Sequence, residues 1–292
     1  MMSSIGSSDG LGELRDMQPL PSDFEEDEAL RSAYIHEITL SQLGNDGTTE
    51  FFDLSSSRIP TTLVRFWHNK LELPEDVRAC MASWDRLADQ GFVLRTFDDR
   101  TASAYIDGFF GHRERAAFAQ CEHPAMRCDY LRMCVLLAEG GFYVDADDVL
   151  LGDGWKLIYR NDRMKVQPLC YDIAAGGMMP SADIWRTDLP PGDRVFYVNN
   201  DPIAAPPGHP VLQLALERAT NRLLGSKGSL EIQATTGPGN LTAALAAHAR
   251  RLQLAGKPLD FELIREWDAI AEIRWDLSYR NDERNWRNVF GC

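Results

Sequence analysis

Asp145 and Asp147 stand one residue apart, with Asp148 directly after, at the end of a short apolar run, Phe142-Tyr143-Val144. Carboxylates at that spacing in an extended segment project to one side. In an open α/β sheet, ligands bind beyond the carboxyl ends of the strands. Hard oxygen ligands with few other protein contacts suit Mg2+ or Mn2+, phosphate oxygens and water completing the shell. The plain alternative for a bare Asp-x-Asp is an exposed acidic turn. Upstream, Asp129 and Arg132 lie three residues apart in an otherwise apolar stretch. On a helix that spacing puts them on one face. Charges in a buried helix either pair with each other or meet a ligand, and both readings stay open for these two.

These residues need a scaffold, and the chain supplies the marks of one. Residues 61–67 (TTLVRFW) follow a proline and are β-branched and aromatic, which predicts a buried strand. Pro74 opens a helix with Val77, Cys80, Met81, Trp84 and Leu87 at helical spacing, and Gly91 closes it. Residues 92–97 (FVLRTF) form the next strand, so the pair is a parallel crossover unit. A helix from Pro124 to Glu139 stops at Gly140-Gly141 and leads into a strand over 142–144. Further on, 195–200 reads as a strand and 210–224 as a helix. Residues 235–240 read as a turn, with Asn240 as N-cap of a helix over 241–254. Segment 267–286 alternates aromatics with charges and carries no assignable period.

The chain has 292 residues, 44% hydrophobic, with a net charge of -14. That charge argues against a nucleic-acid partner. Eight acids against Arg15 give residues 1–30 a charge of -7, half the total. They read as a mobile acidic tail, with a short helix over 23–37, and order is expected to begin near Ile59. No run of about 18 apolar residues predicts a membrane span. The N-terminus lacks a basic start followed by an apolar run, so no secretory signal is expected. The six cysteines show no paired metal spacing and read as free thiols of a cytoplasmic protein.

Taken together, residues 125–148 resemble the sugar-binding region of retaining Asp-x-Asp glycosyltransferases of GT-A fold. That group includes fungal initiating mannosyltransferases, α-1,4-galactosyltransferases and glucosylating toxin domains. The matching features are Asp129-x-x-Arg132, an apolar stretch, Gly140-Gly141, an aromatic strand and Asp145-x-Asp147. Supporting matches are Ile59-Pro60 with Trp67, Pro207-Gly208-His209-Pro210 and Thr236-Gly237-Pro238. The resemblance implies an α/β fold with a mixed, mainly parallel sheet flanked by helices. It implies a single domain over 31–292, with the donor side at about 59–150 and a helical or irregular acceptor side at about 151–292. Trp67 would stack on the donor base. Asp129, Arg132 and Asp145 would act on the sugar, Tyr143 would line the donor pocket, and Asp147 would ligate Mn2+ or Mg2+ together with Asp145. The chain departs from the pattern where a His or acid usually precedes a C-terminal Trp: the segment here is Asn281-Asp282-Glu283-Arg284-Asn285-Trp286. Trp286 is the matching tryptophan and a donor contact. Asp282, Glu283 or Asn285 is the candidate for the remaining metal ligand.

The implied activity is metal-dependent transfer of a sugar from a UDP- or GDP-sugar to a saccharide, protein or small-molecule acceptor, with retention of configuration. Two rivals share the clustered carboxylates or the fold. One is a metal-dependent nucleotidyltransferase or phosphohydrolase. The other is a catalytically silent nucleotide-sugar-binding protein.

Overall fold

The computed structural model describes residues 20–44, 54–189, 193–226, 228 and 230–290. In chain order the elements are α1 (Glu28–Ser41), β1 (Thr62–Phe66), α2 (Glu75–Ser83), β2 (Val93–Phe97), α3 (Asp99–Phe109), α4 (His112–Ala119) and α5 (Pro124–Glu139). Then come β3 (Gly141–Tyr143), β4 (Asp148–Leu150), β5 (Met164–Asp172), β6 (Gly177–Met178), β7 (Arg194–Ala205), α6 (Pro210–Gly225), α7 (Ile232–Thr235) and α8 (Pro238–Leu254). The last are β8 (Phe261–Leu263), α9 (Trp267–Ile270), β9 (Ala271–Ile273) and α10 (Trp286–Phe290), with several 3-10 turns between.

A seven-stranded sheet forms the centre, in the order β2-β1-β3-β7-β5-β6, with β8 on β5. The pairs β1–β2, β1–β3 and β5–β8 are parallel, and the pairs made by β7 and β6 are antiparallel. Five of the seven strands therefore run one way, the mixed and mainly parallel α/β sheet expected. Residues beyond 150 supply β5, β6, β7 and β8, so both halves of the chain build the same sheet. A separate two-stranded sheet joins β4 to β9, which lies more than a hundred residues later in the chain.

The helix and strand around the Asp-x-Asp turn follow their punctuation. Pro124 sits in the first turn of α5, and His123 caps it by accepting from the Ala125 N–H at 3.0 Å. Gly140 and Gly141 then take φ values of 72° and 122°. A Cβ at Gly140 would lie 2.8 Å from the Ala205 carbonyl oxygen, and one at Gly141 would lie 2.8 Å from that of Thr62. Only glycine lets β3 enter between its two neighbours so tightly. Leu63 and Val64 of β1, Phe142 and Tyr143 of β3, and Ile203 and Ala204 of β7 are fully buried.

Order starts well before Ile59. The helix expected over 23–37 is present as a 3-10 turn at Phe24–Glu26 followed by α1. Phe24, Tyr34, Ile35 and Ile38 join the main core. Ser32 fastens α1 to β7, donating to the Arg194 carbonyl at 3.1 Å and accepting from the Phe196 N–H at 2.8 Å. The rest of the acidic N-terminal segment, residues 1–19, lies outside the described residues.

Two readings of the second half need correction. The helix assigned to 241–254 begins at Pro238 with Gly237 as N-cap, so Asn240 does not cap it. Its buried amide instead donates to the Ala215 carbonyl at 2.9 Å and cross-links α8 to α6. The strand expected over 195–200 continues through Pro202 to Ala205.

No helix among the described residues is long and apolar enough to cross a membrane. Cys80, Cys121, Cys128, Cys134 and Cys170 are free thiols, and Cys292 lies outside the described residues.

Candidate functional site

The apolar faces of α5 bury Asp129 and Arg132 along with the helix, so both charges must find partners inside the protein. Asp129 accepts from the Asn200 amide at 2.7 Å and the Thr236 hydroxyl at 3.2 Å, and Arg132 lies 3.1 Å away. Arg132 also donates to Asp145 Oδ1 at 2.9 Å and to the Asn200 carbonyl, with its guanidinium 4.1 Å from the Tyr143 ring centre. Tyr143 donates its hydroxyl to Asp145 Oδ1 at 2.6 Å. Arg132 is therefore a bridge between the helix carboxylate and the first aspartate of the Asp-x-Asp turn. Burial pushes the Asp129 carboxyl up to about 6, helped by Asp145 and opposed by Arg132.

Beyond β3 the chain turns through Asp145-Ala146-Asp147, and β4 carries it on into its pairing with β9. That pairing brings the C-terminal segment back over the turn. The Arg274 N–H donates to the Asp147 carbonyl at 3.0 Å. Tyr279 donates its hydroxyl to Asp147 Oδ2 at 2.7 Å, and the Arg280 guanidinium donates to the same oxygen. Burial and Asp145 raise the Asp147 carboxyl, against Arg280 and Tyr279.

Behind the turn, Asp201 accepts from the Asp145 N–H at 2.9 Å. Asp148 and Asp201 act on each other as neighbouring carboxyls, and both are almost wholly buried. Burial, then the neighbouring carboxylates, holds both well above the ordinary carboxylic range. Asp148 Oδ2 has no hydrogen-bond partner.

All of this surrounds a cleft of about 540 Å3, lined by Trp67, Asp129, Arg132, Asp145, Asp147, Asn285 and Trp286 among others. That volume accommodates a small-molecule ligand. Seven of the sequence-predicted residues thus line this cleft: Trp67, Asp129, Arg132, Asp145, Asp147, Asn285 and Trp286. The Trp67 indole N–H is buried without an acceptor, and the ring meets Tyr279 edge-on at 5.3 Å. Tyr143 is not in the wall. It is fully buried behind Asp145 and Arg132 and serves to hold them.

The C-terminal metal ligands expected from the sequence are not assembled. The Asp282 carboxylate is taken by Arg284, at 3.0 and 2.6 Å, and does not line the cleft. Glu283 faces His123 through its backbone carbonyl, which lies 2.9 Å from the ring Nε2, and is also absent from the lining. Asn285 does reach the cleft, but its amide group donates to the Arg280 carbonyl at 2.8 Å and its Oδ1 accepts from the Arg287 N–H. Among the described residues, no group of three or more His, Cys, Asp and Glu side chains is arranged to hold a metal ion. A divalent ion at Asp147 would also stand beside the Arg280 guanidinium bound to Oδ2. The donor set does not fit the Mn2+ or Mg2+ that the resemblance implied.

Asn200, Asp201, Tyr279 and Arg280 were not singled out in the sequence. Asn200-Asp201-Pro202 reads as a strand end, and Tyr279-Arg280 lies in the segment without a period. The Thr236-Gly237-Pro238 match was the one signal for this side of the site, since Thr236 proves to bind Asp129.

Residues 74–163, which include Asp129, Arg132 and the Asp-x-Asp turn, match the family described as glycosyltransferase sugar-binding region containing DXD motif. The chain is 30% identical over 171 residues to the initiation-specific alpha-1,6-mannosyltransferase of Schizosaccharomyces pombe. That match covers 55% of this chain and 42% of the relative, less than half its length. Among solved structures, PaToxG glycosyltransferase aligns over 91% of this chain and 98% of its own, at 16% identity and a TM-score of 0.44. The chain is similar to the Asp-x-Asp glycosyltransferases, and the match to their sugar-binding region runs over residues 74–163.

Proposed function

We propose that the protein transfers a sugar from a UDP- or GDP-sugar to an acceptor hydroxyl, with retention of anomeric configuration. The observation that carries this reading is the Arg132 bridge. One buried guanidinium holds Asp129 and Asp145 side by side at a cleft of about 540 Å3. A carboxylate pair of this kind accepts hydrogen bonds from sugar or ribose hydroxyls, and the arginine fork fixes their separation. Trp67 offers a flat apolar face and an unpaired N–H to the base. The segment from Tyr279 to Trp286 lies across the Asp-x-Asp turn, where it shields the donor from water.

In the reaction the acceptor oxygen bonds to the anomeric carbon as the bond from that carbon to the phosphate oxygen breaks. The nucleoside diphosphate leaves with the electron pair, and the acceptor proton passes to a leaving phosphate oxygen. Retention rests on the resemblance of the site to retaining enzymes, with attack on the face the diphosphate leaves. The free thiols among the described residues favour a reducing compartment such as the cytoplasm.

The test is a thermal-shift screen of UDP- and GDP-sugars, followed by NMR of the product formed with a panel of sugar acceptors. One donor should raise the Tm, and its product should keep the donor's anomeric coupling constant. Absence of stabilisation by every nucleotide sugar would remove the reading. Cleavage of a sugar-free nucleotide would turn it toward a phosphohydrolase, and an inverted product would remove retention alone.

A further inference from the structure

Resting on the nucleotide-sugar reading above, we infer that Arg280 takes the place of a divalent cation at Asp147, so that the nucleoside diphosphate binds without a metal. The argument begins with the turn itself. Asp147 is the residue from which a metal would reach the donor phosphates, and its Oδ2 is already occupied by a cation of the chain's own. The contact is built, not incidental. The β4–β9 pairing and the bond from Arg274 N–H to the Asp147 carbonyl bring the segment back over the turn. Arg280 Nε donates to the Arg274 carbonyl at 3.1 Å, and its guanidinium lies 4.4 Å from the Trp275 ring centre. Arg280 and Asp147 side chains are 14% and 10% exposed, so parting them would leave two buried charges unpaired.

A guanidinium so held can still serve a ligand. It has five N–H donors in a planar fork, and the bonds to Asp147 and Arg274 leave some of them toward the cleft that Arg280 lines. The fork matches the two oxygens of a phosphate. Arg284 and Arg287 line the same stretch of the cleft. Arg287 rests against the Trp275 and Trp286 rings at 4.8 and 5.4 Å, which holds its charge near the site. The cleft is also lined by Asp129, Asp145, Asp147, Asp148, Asp201 and Asp268; Arg132 is paired with Asp129 and Asp145, Arg280 with Asp147, and Arg284 with Asp282. Arg287 has no carboxylate partner among the described residues, and it and the remaining N–H groups of Arg280 are the donors left for a diphosphate. The residues that might have completed a metal shell are committed elsewhere: Asp282 to Arg284, and Asn285 to Arg280 and Arg287 backbone.

Calorimetric titration with UDP and with GDP, each in EDTA and in Mn2+, tests this on the full chain. Wild-type protein should bind one of them with affinities that agree within about twofold in the two buffers. Arg280→Ala should weaken that binding in EDTA by about tenfold or more, the loss expected for one charge-assisted hydrogen bond. Arg280→Lys keeps the charge without the fork and should fall between; it carries the test if the alanine variant does not fold. Binding that disappears in EDTA and returns with Mn2+ overturns the inference and leaves the nucleotide-sugar reading standing. Arg280 variants that bind in EDTA as the wild type does also overturn it. Failure of both nucleotides in both buffers removes the nucleotide-sugar reading and this inference with it.

Discussion

Two clusters of buried charge divide the molecule, and they are opposites in composition. Around Glu262 in β8, one carboxylate is shared by Arg160, Arg163 at 3.1 Å and Lys165 at 3.6 Å, with the Asn161 amide at 2.6 Å. Lys165 completes its own shell with the carbonyls of Asn161 and Arg163 and the Asn161 side chain. Burial alone would raise Glu262, but Lys165 and its other partners hold it below the usual range. Around the Asp-x-Asp turn the surplus is reversed: Asp129, Asp145, Asp147, Asp148 and Asp201 meet only Arg132 and Arg280. There burial and the neighbouring carboxylates raise Asp129, Asp147, Asp148 and Asp201. A cluster whose partners all come from the fold is structural. A cluster whose carboxyls burial raises, which leaves an oxygen without a partner and opens on a cleft, is poised for something from outside.

That contrast can be broken by substitution. The largest effect belongs to Glu262→Ala, which strands three cations, one of them fully buried. It should cost about 3–5 kcal/mol in urea unfolding, while transfer per folded molecule stays unchanged. A stable Glu262→Ala protein would mean that the cluster is not the structural one. Next, Asp145→Asn should leave the unfolding free energy within about 1 kcal/mol and lower the transfer rate by about 10²–10³-fold, the usual range for one electrostatic contact at a reacting centre. A large fall in stability with the rate preserved would make the two clusters alike.

The smallest effects are in pH dependence, and they run in opposite directions. Asp148 keeps in the folded state a proton that the unfolded chain has already lost. That stability is present at acid pH and is lost as pH rises above the ordinary carboxyl range. The stability of Asp148→Asn, measured relative to wild type, should therefore improve steadily as pH is raised from acid to neutral. Burial lowers Lys165 from 10.5 to about 7, so the unfolded chain binds the proton first as pH falls. Stability is lost as pH falls from the unfolded value toward 7. Lys165→Met should accordingly lose ground to wild type as pH is raised above 7. Melting curves of both variants over one pH series check the pair, and slopes of the same sign would refute the assignment of both groups.

The legible part of the fold was the part whose order comes from neighbours in the chain. Pro124 and Gly140-Gly141 bracket α5 where the sequence places them, and β1 and β2 follow their apolar runs; the helix expected up to Gly91 ends instead at Ser83, and a 3-10 helix over Asp85–Gln90 leads on to Gly91. The Asp129–Arg132 pair and the two aspartates could be read for the same reason. What escaped was made by distant partners. Asn240 has the composition of a cap, but Pro238 starts the helix earlier and leaves Asn240 facing α6. Asp201 stands before a proline, a local sign of a turn, yet β7 runs on through it because β3 and β5 pair on either side. Arg280 becomes visible only when β9 lies along β4. Nothing near Arg280 in sequence marks it, because the aspartate it binds is 133 residues away.

The strap formed by α1 bears on how the protein can be cut. The matched region begins at residue 74, and a shortened chain starting there or at β1 would keep the whole of it. It would lack Tyr34, Ile35 and Ile38, and the Phe196 N–H would lose its acceptor on Ser32. The outer half of β7 would then offer water an apolar face and a loose backbone donor, the conditions under which sheets recruit other chains. Protein made for crystallisation or assay should therefore begin upstream of Asp27, whose carboxylate caps α1. A protease that nicks between α1 and β1 should yield two fragments that stay together until denaturant parts them.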